Sequence, residues 1–383
     1  MIPPIFISGA GIVSAIGFGK AETLSSLRSG RSGIAPRKYL ETKLEEVLLG
    51  EVKASSEELA ALCGAPAELP RTSLLGIIAL KEALEEAGIE DLSGIPLIGG
   101  TTVGGMDLTE KSFPVYNALH DCGASTEAIA AHFGGALWST TLSTACSSAA
   151  NAILCGANLI RCGLASRVAV GGSEALSSFH LNGFNSLMIV DREPCRPFDK
   201  SRAGLNLGEG AAFLILESEE SLRGRGGKAL ARLSGFGNAC DAYHQTASSP
   251  TGEGAFLAMR KALSTAGLRP EDIDYVNAHG TGTPDNDAAE SAALRRVFGE
   301  ALPPVSSTKA FTGHTTSASG SIEAVICLLA LSEGFIPRQL NWKEADSACI
   351  IPSVKELERP LRHVLCNSFG FGGNDTSLLI SNA

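Results

Sequence analysis

The stretch that decides the fold is residues 143–160, which read STACSSAANAILCGANLI. Small residues surround Cys146 and apolar residues follow at helical spacing, so we predict a helix from the cysteine to residue 160. A thiol at a helix N-terminus meets the positive end of the helix dipole and unpaired N–H groups, which favour the thiolate and can hold an oxyanion. Cys146 is therefore a candidate nucleophile, although a cysteine in such a setting is more often a buried structural residue.

The same pattern occurs again at residues 317–331, which read SASGSIEAVICLLAL. Each half of the chain also opens with a strand and a glycine turn, at 5–11 and at 229–237. A helix at 73–87 in the first half matches one at 255–266 in the second. Three strands also have counterparts: 96–100 matches 274–277, 167–171 matches 363–367, and 211–217 matches 376–381. Equal order and type of elements predict an internal duplication.

This duplication predicts an α/β fold of two βαβαβαββ halves, packed as helix and sheet layers in the order αβαβα. The halves are 1–227, which contains the candidate nucleophile, and 228–383, and they form one compact unit. We expect the glycine-rich segment 223–227 to be a flexible joint between them.

Composition limits the possible functions of the 383-residue chain. A net charge of -10 without a long basic block argues against nucleic acid or an anionic membrane as the main partner. The ten cysteines lack Cys-x-x-Cys or zinc-type spacing, so we expect reduced thiols and no metal site. The N-terminus has no basic leader and the apolar run 324–331 is too short to span a bilayer, which predicts a cytoplasmic protein.

A glycine motif near the N-terminus suggests a dinucleotide site, but the match is incomplete. Residues 9–14 read GAGIVS, so Ser14 replaces the third glycine of that fingerprint. A tight turn packed against the core explains this segment better.

Two loops each place a histidine in a setting typical of active sites. Residues 276–284 read VNAHGTGTP and carry His279, whereas residues 307–315 read STKAFTGHT and carry Lys309 and His314. One such histidine alone is more often structural. A third loop, residues 367–374, reads NSFGFGGN and predicts either a bulged strand or a backbone that approaches a ligand closely.

Together these segments resemble the β-ketoacyl-acyl carrier protein synthases of the elongating, Cys-His-His type. The similarity lies in TACSS at 144–148, NAHGTGT at 277–283, KAFTGHT at 309–315 and FGFGG at 369–373, in the correct order over nearly the whole chain. Initiating synthases use Cys-His-Asn and thiolases a second catalytic cysteine, whereas this chain has His314. The resemblance implies the thiolase fold, usually a dimer, and acyl transfer followed by decarboxylative Claisen condensation with malonyl-acyl carrier protein.

The catalytic roles agree with the chemistry of the residues. Cys146 would carry the acyl group, because exchange of one thioester for another changes bond energy little. His279 and His314 would donate Nε–H groups to the enolate oxygen. Lys309 would orient the His314 loop, with Glu323 holding it or an ordered water, unless the two form only a structural salt bridge. By resemblance, the backbone N–H groups of Cys146 and Phe371 form the second oxyanion hole.

Other assignments follow from the resemblance. Phe371 is the aromatic gate between the two substrates, and Phe369 belongs to the same substrate-binding loop. The remaining candidates are Thr281 and Thr283 for the phosphopantetheine arm, Thr102 and Val103 near the acyl pocket, and Arg202 for contact with the carrier protein. Turn hydrogen bonds for the threonines and a solvated Arg202 are the alternatives. We expect no bound cofactor, because phosphopantetheine arrives on the carrier protein.

Three alternatives stay open. The sequences of segments 100–105 and 202–206 differ from those usual in fatty-acid synthases. They resemble synthases of secondary pathways, including aryl polyene biosynthesis. A non-catalytic partner subunit of a heterodimeric synthase is disfavoured, because Cys146, His279 and His314 are all present. A cysteine hydrolase would not need the second histidine loop. We expect a homodimer, or a heterodimer with a related subunit.

Overall fold

The computed structural model describes residues 3–383. Its strands are β1 Ile5–Ser14, β2 Gly17–Phe18, β3 Ala35–Pro36, β4 Leu48–Leu49, β5 Leu97–Gly100, β6 Ser139–Leu142, β7 Arg167–Glu174, β8 Gly210–Ser218, β9 Ala231–Cys240, β10 Tyr275–Asn277, β11 Val305–Ser306, β12 Phe335–Ile336, β13 Leu357–Glu358, β14 His363–Gly370 and β15 Asn374–Ser381.

The α-helices are α1 Gly19–Ser29, α2 Ser56–Cys63, α3 Arg71–Ala87, α4 Met106–Ser112, α5 Cys122–His132, α6 Ser148–Arg161, α7 Ser178–Ser186, α8 Glu219–Gly224, α9 Glu253–Ala266, α10 Pro284–Phe298, α11 Lys309–Thr312 and α12 Ser319–Glu333. Short 3₁₀ helices occupy Ala118–His120, Pro270–Asp272, Thr316–Ala318 and Phe371–Gly373.

The two halves use the same strand order. The first half reads β6-β5-β7-β8-β1 across the sheet and the second reads β11-β10-β14-β15-β9. In each half the first three strands are parallel and the next two pairings are antiparallel. Two residue pairs, Phe6 with Arg232 and Ile7 with Ala231, join the half-sheets. The predicted βαβαβαββ duplication is therefore confirmed.

The helices complete a layered architecture. Helices α6 and α12 pack against each other and against strands of both half-sheets, so they form the central layer. Helix α3 covers β1 and β8, and α9 covers β9 and β15, on the outer faces. Residues 319–331 of α12 are all buried, as expected of a helix enclosed on every side. The structure thus has the predicted thiolase-like αβαβα layering.

The predicted element bounds are accurate except for the first strand of each half. The other predicted strands and helices begin and end within three residues of the observed ones. Strand β8 illustrates why: its residues 210–216 read GAAFLIL, a continuous apolar run, and eight of the nine residues of the strand are buried. Such a run is typical of a strand with helices on both faces.

The predicted glycine turn at 9–11 is wrong, because these residues lie within β1. A Cβ atom on Gly9 or Gly11 would stand 2.1 Å from the carbonyl oxygen of Ala83 or 2.0 Å from that of Ala79, both in α3. The glycines therefore allow the helix to pack directly on the strand.

The predicted turn at 235–237 is wrong for the same reason, since β9 continues through it. A Cβ atom on Gly235 or Gly237 would stand 2.2 Å from the carbonyl oxygen of Ala262 or Ala258 in α9. The same close packing of helix on strand thus occurs in both halves.

The segment 223–227 is not a free linker. Helix α8 ends at Gly224, and the Arg225 guanidinium then binds the Glu217 carboxylate at 2.5 Å and the Ala87 carbonyl oxygen at 2.6 Å. Burial opposes ionisation of Glu217, but hydrogen bonds from Arg225, Ser8 and Ser221 lower its pKa to about 2. The expected flexible joint is thus a fixed turn.

Within residues 3–383, no helix combines the length and the apolar character needed to cross a bilayer.

Candidate active site

A strained turn presents Cys146. Helix α6 begins at Ser148, so the cysteine lies two residues before the helix and not at its first residue as predicted. The preceding Ala145 has a left-handed φ of 52°, which costs about 1 kcal/mol or more for a residue with a Cβ. The turn is held by the Ser148 hydroxyl, which donates to the Ala145 carbonyl oxygen at 2.6 Å and accepts from the Thr144 N–H at 2.9 Å.

The Cys146 sulfur lies against a histidine and two backbone donors. Its Sγ is 3.2 Å from His314 Nε2. The backbone N–H groups of Phe371 and of Cys146 itself lower the pKa of the thiol. The Ser368 hydroxyl donates to the Cys146 carbonyl oxygen at 2.9 Å and so holds the backbone in place.

The free thiol is protonated at neutral pH. Burial raises the pKa of Cys146 to about 11, and this effect exceeds the opposing effects of the Lys309 charge and the Phe371 N–H. The prediction that the helix start favours the thiolate is therefore wrong for the free enzyme. A base must remove the proton, and His314 Nε2 is in reach.

The His279 loop is held by a buried carboxylate. After β10, the N–H groups of His279 and Gly280 donate to the two oxygens of Glu290 at 2.9 and 2.8 Å. Burial raises the pKa of Glu290 to about 7, although these N–H groups lower it. The loop therefore depends on a carboxylate from α10 that lies 11 residues further along the chain.

The proton of His279 can be assigned to one nitrogen. Its Nδ1 lies 3.3 Å from Lys309 Nζ. An ammonium group only donates hydrogen bonds, so Nδ1 accepts and Nε2 carries the proton. Burial lowers the pKa of His279 well below its usual value, and the Lys309 charge adds to the effect. The ring is therefore neutral, with its N–H on Nε2.

Lys309 is itself held by a buried ion pair. Its Nζ lies 2.5 Å from Glu323 Oε1, and the side chains are only 1% and 2% exposed. Burial raises the pKa of Glu323 to about 7, against the lowering effect of Lys309. The second oxygen of Glu323 has no partner among residues 3–383, so an ordered water there would complete its hydrogen bonding.

His314 has a different partner. Its ring centroid is 5.3 Å from that of His279, with the planes at 83°. Its Nδ1 lies 3.1 Å from the hydroxyl oxygen of Ser319, a residue that the sequence analysis missed. A hydroxyl can donate or accept, so Ser319 is compatible with either tautomer of His314. Burial also lowers the pKa of His314 well below its usual value.

A cavity of about 350 Å³ opens onto these groups. Of the predicted residues, it is lined by Cys146, His279, His314, Thr281, Thr283, Phe369 and Phe371. The hydroxyl oxygens of Thr281 and Thr283 are 2.8 Å apart. Phe371 stacks on Phe184 at 5.7 Å between centroids, and Phe184, also missed from the sequence, lines the same cavity.

Thr102 and Val103 do not line this cavity. Their N–H groups donate to the buried carboxylate of Glu174 at 2.9 and 3.2 Å. The predicted place of this pair near the acyl pocket stays a prediction. They hold Glu174, whose charge opposes ionisation of Cys146.

Arg202 is also placed differently from the prediction. Its side chain is 5% exposed, and its guanidinium lies 2.5 Å from the Asp346 carboxylate and 3.9 Å from that of Asp287. Both partners are intramolecular, so the guanidinium has little surface left for a carrier protein. Its position indicates a structural ion pair.

The layered fold, with a cysteine and two histidines at one cavity, is the arrangement of thiolase-like acyltransferases. The Beta-ketoacyl synthase N-terminal domain matches residues 3–221 and the Beta-ketoacyl synthase C-terminal domain matches residues 230–343. The chain belongs to the β-ketoacyl synthase family. It is an acyltransferase that forms carbon–carbon bonds in the elongation of fatty acid or polyketide chains.

Known proteins are similar over the full length. The chain is 35% identical to nodulation protein E of Rhizobium meliloti (strain 1021) and 32% identical to 3-oxoacyl-[acyl-carrier-protein] synthase 2 of Vibrio cholerae, with 98% of each chain covered. A structure of the ishigamide ketosynthase/chain length factor matches with a TM-score of 0.91 at 31% identity, covering 100% of both chains. A chain in the structure of the ketosynthase ApeO in complex with its chain length factor ApeC, from Xenorhabdus doucetiae, matches with a TM-score of 0.84 at 31% identity, covering 100% of this chain and 98% of that one.

Proposed function

We propose that this ketosynthase carries its acyl group on Cys146 and condenses it with malonyl-acyl carrier protein, using His279 and His314. The observation that carries this assignment is the 3.2 Å distance between Cys146 Sγ and His314 Nε2, with the His279 ring 5.3 Å from that of His314. No resident cofactor takes part, because the phosphopantetheine arm enters with the carrier protein between Thr281, Thr283 and the Phe371 gate.

In the acylation step, the Cys146 proton moves to His314 Nε2 as Sγ attacks the thioester carbon. The bond between Sγ and the acyl carbon forms, and the bond between that carbon and the pantetheine sulfur breaks. The released pantetheine thiolate then takes the proton from His314. The carbonyl oxygen, negative in the intermediate, accepts hydrogen bonds from the N–H groups of Cys146 and Phe371. In this step His314 Nδ1–H donates to the Ser319 hydroxyl.

In the condensation step, the bond between the malonyl carboxylate and its neighbouring carbon breaks, and carbon dioxide leaves. The electron pair moves to the thioester oxygen, which accepts the Nε2–H of His279 and, when Ser319 donates to Nδ1, that of His314. The enolate carbon attacks the acyl carbon, the bond to Sγ breaks, the carbonyl groups re-form, and the Cys146 thiolate takes up a proton from solvent.

Subunit pairing is proposed through the edge of the first half-sheet. Strand β6 ends the sheet order among residues 3–383, and Leu137 and Trp138 beside it are 63% and 41% exposed. An unpaired strand next to apolar surface favours pairing with another chain. We propose a homodimer or a heterodimer with a related subunit, and the solved structures of similar proteins with a chain length factor support the heterodimer. The assembly would work in the cytoplasm, on acyl carrier protein.

A second candidate, a role in a secondary pathway, rests on particular matches. The chain is 31% identical to a chain of the ishigamide ketosynthase/chain length factor structure and to a chain of the ApeO–ApeC complex, and 32% identical to 3-oxoacyl-[acyl-carrier-protein] synthase 2, so the two kinds of relative are about equally similar. Aryl polyene biosynthesis is one such pathway.

The test uses the full-length enzyme with acyl-carrier proteins that bear different chains. Mass spectrometry of Cys146 reports the acyl adduct, and malonyl-carrier protein is then added. We expect the adduct to form and to be converted into a β-ketoacyl product with release of carbon dioxide. The exposed Cys162 and Cys240 serve as controls for nonspecific transfer. An adduct that never forms, or that is only hydrolysed, would exclude the proposal.

A further inference from the structure

Two segments that line the catalytic cavity are joined to each other by backbone hydrogen bonds. The first is the gate turn, residues 371–373, and the second is the loop 241–252, which contributes three residues to the cavity lining. Two bonds of 2.8 Å connect them, from the Asp241 N–H to the Gly373 carbonyl oxygen and from the Gly372 N–H to the Gln245 carbonyl oxygen. Movement of the loop therefore displaces the gate turn as well.

Two aspartates meet beside this junction. Asp375 lies just after the gate turn, in β15, and is 6% exposed. A Cβ atom on Gly254, at the start of α9, would stand 2.3 Å from Asp375 Oδ2 and 3.0 Å from Asp241 Cβ. Both side chains thus border one small space, which a residue without a side chain leaves to the two carboxyl groups.

The Asp241 carboxylate has one oxygen without a partner. Its Oδ2 accepts the Ser249 N–H at 2.7 Å, whereas its Oδ1 is buried and has no hydrogen bond among residues 3–383. A buried carboxylate oxygen needs a donor, and two ionised carboxylates offer none to each other. A protonated Asp375 carries an O–H group that can donate to the free oxygen.

The surroundings favour the protonated form of Asp375. In the sheet, its direct neighbours are the uncharged Phe369 and Ala239. The other titratable groups on the adjoining segments are Cys240 of β9, Tyr243 and His244 of the loop, Glu253, Arg260 and Lys261 of α9, and Glu290 of α10. Glu253 is paired with Arg296 at 2.8 Å, and Arg260 and Lys261 are exposed. Burial, together with the charges of Asp241 and Glu290, raises the pKa of Asp375 to about 8.

We propose that Asp375 is a positioning residue for the gate: its carboxyl proton is shared with Asp241 Oδ1, and this bond holds the loop 241–252 against the gate turn. The same turn carries the Phe371 N–H of the oxyanion hole. The inference therefore rests on the proposed function for the role of the gate.

The proton links this contact to pH. When it leaves to solvent, two carboxylates remain side by side, and their repulsion favours separation of the loop from the gate turn. Because the joined arrangement binds the proton more tightly than the separated one, the contact weakens as pH rises from the usual range of an aspartate to about 8. Above that value both arrangements have lost the proton, so the contact weakens no further.

The test measures amide hydrogen exchange in the full-length enzyme without substrate, between about pH 6 and pH 9. Rates are corrected for the chemical effect of pH on exchange. Corrected exchange of segments 241–252 and 371–373 should rise about tenfold per pH unit up to about pH 7.5 and level off above pH 8, since separation releases one proton. Segment 210–218 of β8 is the internal control and should show no such rise.

Three variants sharpen the test. In Asp375→Asn the amide N–H donates to Asp241 at every pH, so the corrected exchange should be slow and independent of pH. In Asp241→Asn the amide donates to an ionised Asp375, so the pH dependence should disappear above about pH 6. The matched control is Glu253→Gln, which removes a carboxylate from the start of α9 but not from the pair. It should keep the pH dependence of the wild type.

The outcomes separate the two proposals. If both segments of the unmodified enzyme follow the chemical rate over the whole range, or if Asp375→Asn keeps the pH dependence, the role of Asp375 is excluded. The wild-type profile decides this even where a variant does not fold. The measurement needs no acyl chain, so the absence of a Cys146 adduct would exclude the proposed function without changing the exchange result.

Discussion

The two histidine loops differ in one atom contact. His279 and His314 are both 2% exposed, both have a lowered pKa, and their rings lie 5.3 Å apart. The Nδ1 of His279 faces the ammonium of Lys309, whereas that of His314 faces the hydroxyl of Ser319. The ammonium permits one tautomer and the hydroxyl permits two.

This difference separates the roles of two residues that look equivalent in the sequence. His279 can serve only as an Nε2–H donor, which suits the enolate oxygen. His314 can accept a proton at Nε2 in one step and donate from it in the next. The hydrogen-bond partner of Nδ1, more than the imidazole ring itself, therefore determines the chemistry of each histidine.

The largest effect is expected for His314→Ala. Loss of the base that takes the Cys146 proton should slow acylation by about 10²–10⁴-fold, and condensation should slow as well. Quenched-flow mass spectrometry of the Cys146 adduct measures the first step. Acylation within threefold of the wild-type rate would mean that another group removes the proton, and the two histidines would then be equivalent donors.

The next effect is on stability, in Lys309→Met. Removal of the ammonium leaves Glu323 buried and unpaired, so we expect a loss of about 3–5 kcal/mol in the free energy of unfolding. The double variant Lys309→Met/Glu323→Leu should recover much of this loss, as measured by denaturant unfolding. The rate at which the double variant decarboxylates malonyl-carrier protein should stay below that of the wild type, because the tautomer of His279 is no longer fixed. Full recovery of the decarboxylation rate would contradict the tautomer argument.

The substitution His279→Ala should slow decarboxylation much more than acylation. Decarboxylation should fall by about 10²–10³-fold, the usual cost of losing one oxyanion donor, while acylation changes little. Release of carbon dioxide from malonyl-carrier protein measures the first quantity and adduct formation the second. Equal loss of both rates would count against the separate roles.

The pKa of the Cys146 thiol should be unusually high. With a pKa of about 11 in place of 9.0, its thiolate fraction near pH 7 is about 100-fold lower than that of an ordinary thiol. Its rate of alkylation should therefore rise up to about pH 11, whereas in unfolded protein it should level off near pH 9. Because the folded protein binds the extra proton between these values, this group lowers stability as pH rises from about 9 to 11. A plateau near pH 9 in the folded enzyme would show that burial does not dominate.

The smallest effect is expected in the His279 loop itself. Thr281→Ala removes a hydroxyl that lines the cavity, so KM for the carrier-linked substrate should rise by about 2–10-fold with kcat nearly unchanged. Thr265→Ala on α9, outside the cavity lining, is the control. A fall in kcat without a change in KM would assign Thr281 to the His279 loop geometry.

The order of elements could be predicted from the sequence because apolar runs and helical spacing survive in both halves. The cysteine and the two histidines were found because each lies in a loop of small residues. Gly9 and Gly235 were misread as turns, since a glycine required for close packing looks the same in sequence as one required for a turn.

Residues that act through contacts between distant parts of the chain have no recognisable motif in the sequence around them. Ser319 is one of several serines at the start of an apolar helix, and only the folded chain brings it to His314. Glu290 and Phe184 are similar cases, on helices with no motif of their own. The sequence suggested that Arg202 contacts the carrier protein, because a sequence does not reveal that two carboxylates lie beside its guanidinium.

The first strand has a consequence for synthesis on the ribosome. Residue Ile5 pairs with Ser218, so the first residues of β1 have no strand partner in their own half until more than 200 further residues have been added; only Val13 and Ser14 pair earlier, with β2. At usual rates of translation this takes roughly 10–40 s. During that time most of a strand that is buried along almost its whole length in the finished protein stays unpaired in the nascent chain. We therefore expect the newborn chain to depend on chaperones until β8 emerges from the ribosome.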